Sequence, residues 1–223
     1  MPAMPAELND RSILMGRPPK LLGRDTRRVL MDSALTLFAG HGYAGVGLRD
    51  IARLAGVREG ALYHYFTGKE DLMSALVNEH REAFVHVQTL IAAPIVDLQA
   101  WLAAIVTAIL DEFADPTEQL VYRLLMQDGV RLAEQGQLNL EERIGARMEL
   151  GERFVRRLFD EGHAEPGPVE PLGALFFGPL ILWRKLLLCA PDSPLIRDRE
   201  TFERQHVMYF LRALRPSGAE ARP

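Results

Sequence analysis

"LRDIARLAGVREGALYHYF", residues 48–66, decides the fold of this chain. Two short runs with apolar residues at helical spacing, Leu48 to Ala55 and about Arg58 to Phe66, are separated only by Gly56-Val57. Helices joined by so short a break cross steeply, and the crossing needs small residues. Ala52 and Ala55 let the second helix approach, Gly56 permits a left-handed turn, and Ile51, Val57 and Leu62 fill a small core. Counted from Leu48, the residues Ile, Ala, Ala, Gly, Val and Leu fall at positions 4, 5, 8, 9, 10 and 15. That is the helix-turn-helix pattern. The same pattern would also suit a three-helix packing unit that touches no nucleic acid.

Just upstream, "DTRRVLMDSALTLFAGHGY" places Leu30, Ala34, Leu37 and Phe38 on one helical face, with Asp25 or Thr26 as N-cap and Gly40 or Gly42 as the stop. Gly40, Gly42 and Gly45 have the spacing of a dinucleotide-binding fingerprint. The fingerprint has a mechanism only after a β-strand, because pyrophosphate must meet the N-terminus of the helix that follows. Here a helix precedes the glycines, so they are a helix stop and a turn.

Charge divides the chain. Residues 11–69 carry a net +6, whereas residues 70–223 carry −8, within a total of −4. A basic first third on an acidic remainder points to a polyanion partner for that third alone. Hydrophobic residues make up 48% and charged residues 25%, a globular balance. The single cysteine, Cys189, rules out an internal disulfide and is expected to be a buried, inert thiol at an apolar helix end. No basic, then apolar, leader is expected at the N-terminus. The most apolar run, Leu172 to Trp183, is twelve residues long and is expected to be a buried helix rather than a membrane span.

Further along, "TGKE", residues 67–70, is expected to be a capping box opening a helix that runs to about Val87. Helices are expected at roughly 97–114, 117–135, 139–162, 169–190 and 199–214, with Pro179 kinking the fourth of these. The fold class is all-α: a three-helix helix-turn-helix head followed by a larger helical bundle. The expected divisions are an arm at 1–22, the head at 23–69, the bundle at 70–215 and a flexible tail at 216–223.

The segments "ALTLFAGHGY", "RDIARLAGV", "GALYHYF" and "GKEDLMSAL", within residues 26–76, closely resemble the TetR family of bacterial repressors. The resemblance implies a homodimer joined through its C-terminal helices, a DNA-binding head and a C-terminal domain that takes a small effector. Carried over by position, Arg58, Glu59, Gly60 and Ala61 form the first turn of the recognition helix, the part that reaches base edges. Arg58 suits guanine and Glu59 suits cytosine N4, although an acid at a helix start is also favoured by the dipole alone. Tyr63, His64 and Lys69 match phosphate-contacting positions; Tyr65 and Phe66 suit the core. Where the family often has Thr or Ser opening its second helix, this chain has Val46 and Gly47, and Arg58 replaces the Ser that often opens the third. Two side-chain caps are thereby lost, so phosphate contacts are expected instead from Arg49 and the arm. In the arm, Arg17 stands in a Gly-Arg-Pro tripeptide suited to a narrow A·T-rich minor groove, with Lys20, Arg24, Arg27 and Arg28 beside it. A merely basic tail is the other explanation.

The expected partners are a pseudo-palindromic double-stranded DNA operator, a second copy of the chain and a small apolar or aromatic effector; no membrane, cofactor or metal is expected. Trp101, Phe113, Tyr122, Met126, Phe154, Phe177 and Trp183 are the candidate effector-pocket residues, each also suited to ordinary core packing. An enzyme finds no support. The histidines of "EHREAFVH" are six apart, and "GRPPKLLG" lacks the Gly-Lys-Ser/Thr ending of a phosphate loop. The expected function is a cytoplasmic, nucleoid-associated, sequence-specific repressor released from its operator by an effector. The alternative is a helical small-molecule-binding or interaction protein with a purely structural helix-turn-helix.

Overall fold

The computed structural model describes residues 23–79 and 85–214. The elements among them are all helical: α1 Gly23–His41, α2 Leu48–Leu54, α3 Glu59–Leu62, α4 Lys69–Glu79, α5 Val85–Ala92, α6 Leu98–Ala114, α7 Pro116–Glu134, α8 Leu140–Asp160, α9 Val169–Cys189, α10 Pro194–Arg197 and α11 Arg199–Ala213. Arm residues Arg17 and Lys20 and the tail at 216–223 lie outside the described residues, and Arg24 falls in the first turn of α1.

In the head, Leu30, Ala34 and Phe38 of α1 meet Ile51 of α2 and Leu62 of α3, each with essentially no exposed surface. Val57 packs against this cluster from the turn. Phe66 is buried and Tyr65 partly so, as core residues should be. Leu72, Met73 and Leu76 of α4 close it from one side, and Val121, Leu124 and Leu132 of α7 join the same cluster. Head and bundle therefore share a core through α7. A second cluster fills the bundle, drawing on α5, α6, α8, α9 and α11.

Three boundaries differ from the sequence expectation. α1 is already helical at Gly23, ahead of Asp25 and Thr26. α3 ends at Leu62, so residues 63–65 continue as turns rather than helix. Thr67 and Glu70 form no capping box: the Thr67 N–H donates to Asp71 Oδ2 at 2.8 Å, while Glu70 accepts from Gln137 at 3.1 Å. The side chain one residue further on wins because α4 begins only at Lys69.

Other caps follow residue chemistry. Asp115 accepts from the N–H groups of Thr117 and Glu118, and Pro116 opens α7 where no N–H is needed. Asp97, Asn139 and Asp198 cap α6, α8 and α11 in the same way.

α9 corrects two expectations. It spans the helix expected at 169–190 and is long and apolar enough to cross a membrane by length and composition, but it is not the buried helix expected, because most of that stretch is not buried within the single chain. Phe176, Leu180 and Trp183 face inward, while Leu175, Ile181 and Leu182 are about half exposed or more. Cys189, expected to be buried, is exposed at the end of α9. The apolar residues of α9 go all round the helix, and a single chain covers only one side. Pro179 lies within α9, and its missing N–H leaves the carbonyl one turn earlier without its helical donor.

Candidate nucleic-acid interface

The turn between α2 and α3 is built by backbone hydrogen bonds. Gly56 adopts φ +68°. Its N–H reaches the Arg53 carbonyl at 3.2 Å, and the Val57 N–H reaches the Ala52 carbonyl at 3.0 Å. This is a Schellman ending, and its left-handed residue costs glycine little. It stops α2 and turns the chain straight into α3, as the sequence spacing required.

The three glycines upstream have a comparable role. The N–H of Gly42, at φ +74°, bonds the Phe38 carbonyl at 2.9 Å and stops α1. A Cβ on Gly45 would fall 2.8 Å from the His41 carbonyl oxygen, so the chain folds back here because Gly45 has none. No strand precedes these glycines among the described residues. They shape the approach to α2 and cradle nothing.

α2 begins at Gly47 without a side-chain cap; instead Asp50 Oδ2 accepts from the Gly47 N–H at 3.1 Å. Arg58, extended at φ −73° and ψ 144°, stands at the N-cap of α3, also without a side-chain cap bond. Both missing caps match the departures read in the sequence. Arg58 and Gly60 are exposed, and Glu59 and Ala61 half-buried. Tyr63 and His64 are exposed in the turns that follow. These residues share one short outward segment.

Two expected contacts are engaged within the protein. Arg49 Nε donates to Glu59 Oε2 at 2.9 Å, tying α2 to α3 across their outer faces. Glu59 thus has a basic neighbour that the sequence did not reveal. The Lys69 ammonium donates to the Tyr43 carbonyl and lies 4.2 Å from the centre of the Tyr43 ring. Burial, followed by the charge of Arg131, lowers its pKa. A lysine in that state is a structural tie first. Among the arm-side residues, Arg27 lies 5.4 Å from the centre of the Phe66 ring and Arg28 is 3.9 Å from Asp32.

The candidate effector residues separate into groups. Trp101 stacks on Phe154 with centres 5.4 Å apart, and Phe154 meets Phe177 edge-on at 5.3 Å. These three pack on one another as core. Trp183 lies on Phe202 at 4.4 Å, and Met126 is half exposed on α7. Phe113 and Tyr122 face the guanidinium of Arg184, at 4.8 and 4.3 Å from the ring centres.

The cluster around Arg184 was not legible beforehand. Arg184 and Glu118 are both buried, with their charged atoms 3.3 Å apart. Close by, Glu112 is pushed up to about 8, by burial first and then by the Glu118 charge, and its Oε1 is buried without a hydrogen-bond partner. A buried ion pair between large apolar residues is weak evidence for stability and leaves the bundle a polar centre.

A glycine-turned helix pair with an exposed Arg58 at its N-terminal tip, on a helical bundle, is the geometry of a helix-turn-helix unit. Residues 30–76 match the family described as "Bacterial regulatory proteins, tetR family". Over that stretch the chain is similar to the TetR family of transcriptional regulators. It is 29% identical over 116 residues to the transcriptional regulator SrpR of Pseudomonas putida, covering 52% of this chain and 53% of that one. It is 37% identical over 86 residues to the transcriptional repressor KstR2 of Rhodococcus jostii, covering 38% of this chain and 42% of that one. The likeness thus spans about half the length of the first and less of the second. Over the whole fold, the structure of SmeT in complex with triclosan aligns with a TM-score of 0.67 at 18% identity, covering 89% of this chain and 98% of that one.

Proposed function

We propose that this protein is a dimeric repressor that binds a pseudo-palindromic operator through α3 and leaves it when a small molecule occupies the helical bundle. The observation that carries the proposal is Arg58 at the exposed N-terminus of α3, where a guanidinium reaches guanine O6 and N7 when the helix enters the major groove. Glu59, Gly60 and Ala61 are the adjoining base-facing residues. Tyr63 and His64 supply phosphate contacts while Arg49 is held by Glu59, and Arg17, Lys20 and Arg24 serve the flanking minor groove.

The second copy is expected on α9 and α11. Leu175, Ile181 and Leu182 on α9 and Tyr209 on α11 are large apolar side chains left exposed by the single chain, and support this reading. Two copies paired there would present two heads one helical turn of DNA apart, about 34 Å. An effector with apolar or aromatic character is supported by triclosan in SmeT and by the aromatic lining of Arg184. The cytoplasmic nucleoid is the place where such a protein works. Selection of genomic fragments by the purified protein tests the proposal: wild type enriches an inverted repeat, whereas Arg58→Ala loses preference at one base pair of each half-site.

A further inference from the structure

The turn from Gly42 to Gly47 lies between α1 and α2 and sets the direction in which α2 starts. Its anchor, Tyr43, is held by backbone bonds from two other helices. The Tyr43 N–H donates to Asp128 Oδ2 of α7 at 2.8 Å. The Tyr43 carbonyl accepts from Lys69 of α4. The Tyr43 ring is buried against Phe38, with centres 5.2 Å apart, so the residue cannot turn without breaking all three.

Asp128 is itself fixed. Arg131, one turn further along α7, donates to Asp128 Oδ1 at 2.6 Å, leaving Oδ2 for the turn. Burial opposes the charge on Asp128, yet the bonds from Tyr43 and Arg131 outweigh it and hold the carboxyl below its usual range. Four charged groups act on the Tyr43 ring or backbone from two helices: Asp128 and Arg131 from α7, and Lys69 and Glu70 from α4. Asp128 is the side-chain acceptor that the bundle extends to the backbone of this turn.

We propose that Asp128 is a positioning residue for operator reading: through the Tyr43 N–H it fixes the orientation of α2, and with it α3, relative to the bundle. A shift of α7 along its axis lengthens this bond and frees the turn, so the bundle acts on the head here. The inference rests on the DNA-binding role proposed above. Asp128 touches no DNA in this arrangement and acts only through the turn.

The test compares wild type, Asp128→Ala and Asp128→Asn on a fragment enriched by the wild-type protein and on a random duplex of equal length, over a salt series. Amide exchange across residues 42–47 is followed in parallel. Asn retains an acceptor for the Tyr43 N–H but loses the ion pair with Arg131. The expected result is a loss of operator affinity of about tenfold for the Ala variant, as for a dimer whose two heads each hold the competent orientation about a third of the time. Random-duplex affinity and the salt slope stay unchanged, residues 42–47 exchange faster, and Asn restores most of the affinity. Operator affinity within twofold of wild type in Asp128→Ala, with faster exchange, overturns the inference. So does an equal loss on both duplexes. Wild type that enriches no sequence overturns the DNA-binding role itself, a separate and earlier failure.

Discussion

Arg49 of α2 and Glu59 of α3 pair at 2.9 Å on the face that carries Arg58. The pair is well exposed, with the Arg49 side chain at 86% of its full surface. In water such a pair adds at most about 1 kcal/mol to stability. Beside a polyanion it has a different consequence, because Glu59 occupies a guanidinium that a phosphate would otherwise take.

Glu59→Gln is therefore expected to release Arg49 to the backbone. Affinity for random duplex should rise several-fold, and the log–log salt slope should steepen by about 1 per head, as for one added phosphate contact. Anisotropy titrations at several salt concentrations measure both. An unchanged slope would mean that Arg49 does not reach phosphate.

Arg58→Ala should act differently. Removing a bidentate guanine contact costs about 1–3 kcal/mol at one base pair and relaxes specificity there. Random-duplex affinity should change little by comparison. Titration of operators substituted at each position in turn separates this from a phosphate contact, whose loss would weaken every sequence alike.

Glu112 makes stability depend on pH. Its carboxyl sits at about 8 in the folded chain against an ordinary 4.5. The folded state thus holds a proton that the unfolded state gives up. Its contribution is intact below pH 4.5 and is lost as pH rises towards 8. Glu112→Gln cannot ionise and escapes that loss. Thermal melts should show the variant more stable than the parent at pH 8 by about 1–3 kcal/mol, allowing for partial solvent access, with little difference at pH 5. Equal gaps at the two pH values would contradict the assignment.

Ile181 is 60% exposed on the outer side of α9. Ile181→Asp should place a charge in the pairing surface and shift the protein to monomer in sedimentation. Operator affinity should fall far more than random-duplex affinity, because two heads no longer bind together. A dimer that persists would place the pairing surface elsewhere.

The head was largely legible in sequence because its turn depends on chain-local chemistry. Gly56 between Ala55 and Val57 permits one ending for α2, and the apolar spacing of α1 gives its buried face. Helix positions in the bundle followed from Pro, Gly and Asp punctuation for the same reason. The contacts that escaped are long-range pairings. Tyr43 and Asp128 are 85 residues apart, and Glu118 and Arg184 are 66 apart. No periodicity links such positions. Of the candidate pocket residues, Trp101, Phe113, Phe154, Phe177 and Trp183 belong to one core cluster, because aromatic spacing marks a helical core as readily as a ligand site. Cys189 and the outer face of α9 proved exposed because composition does not show whether a second copy covers them.

The most direct measurement is selection of genomic fragments by the purified full-length protein, followed by footprinting at two salt concentrations. A protected inverted repeat, with half-site centres about 34 Å apart and binding that survives physiological salt, is the predicted result. Only weak, sequence-blind binding that disappears at physiological salt would contradict it, and would leave the helix-turn-helix a structural unit.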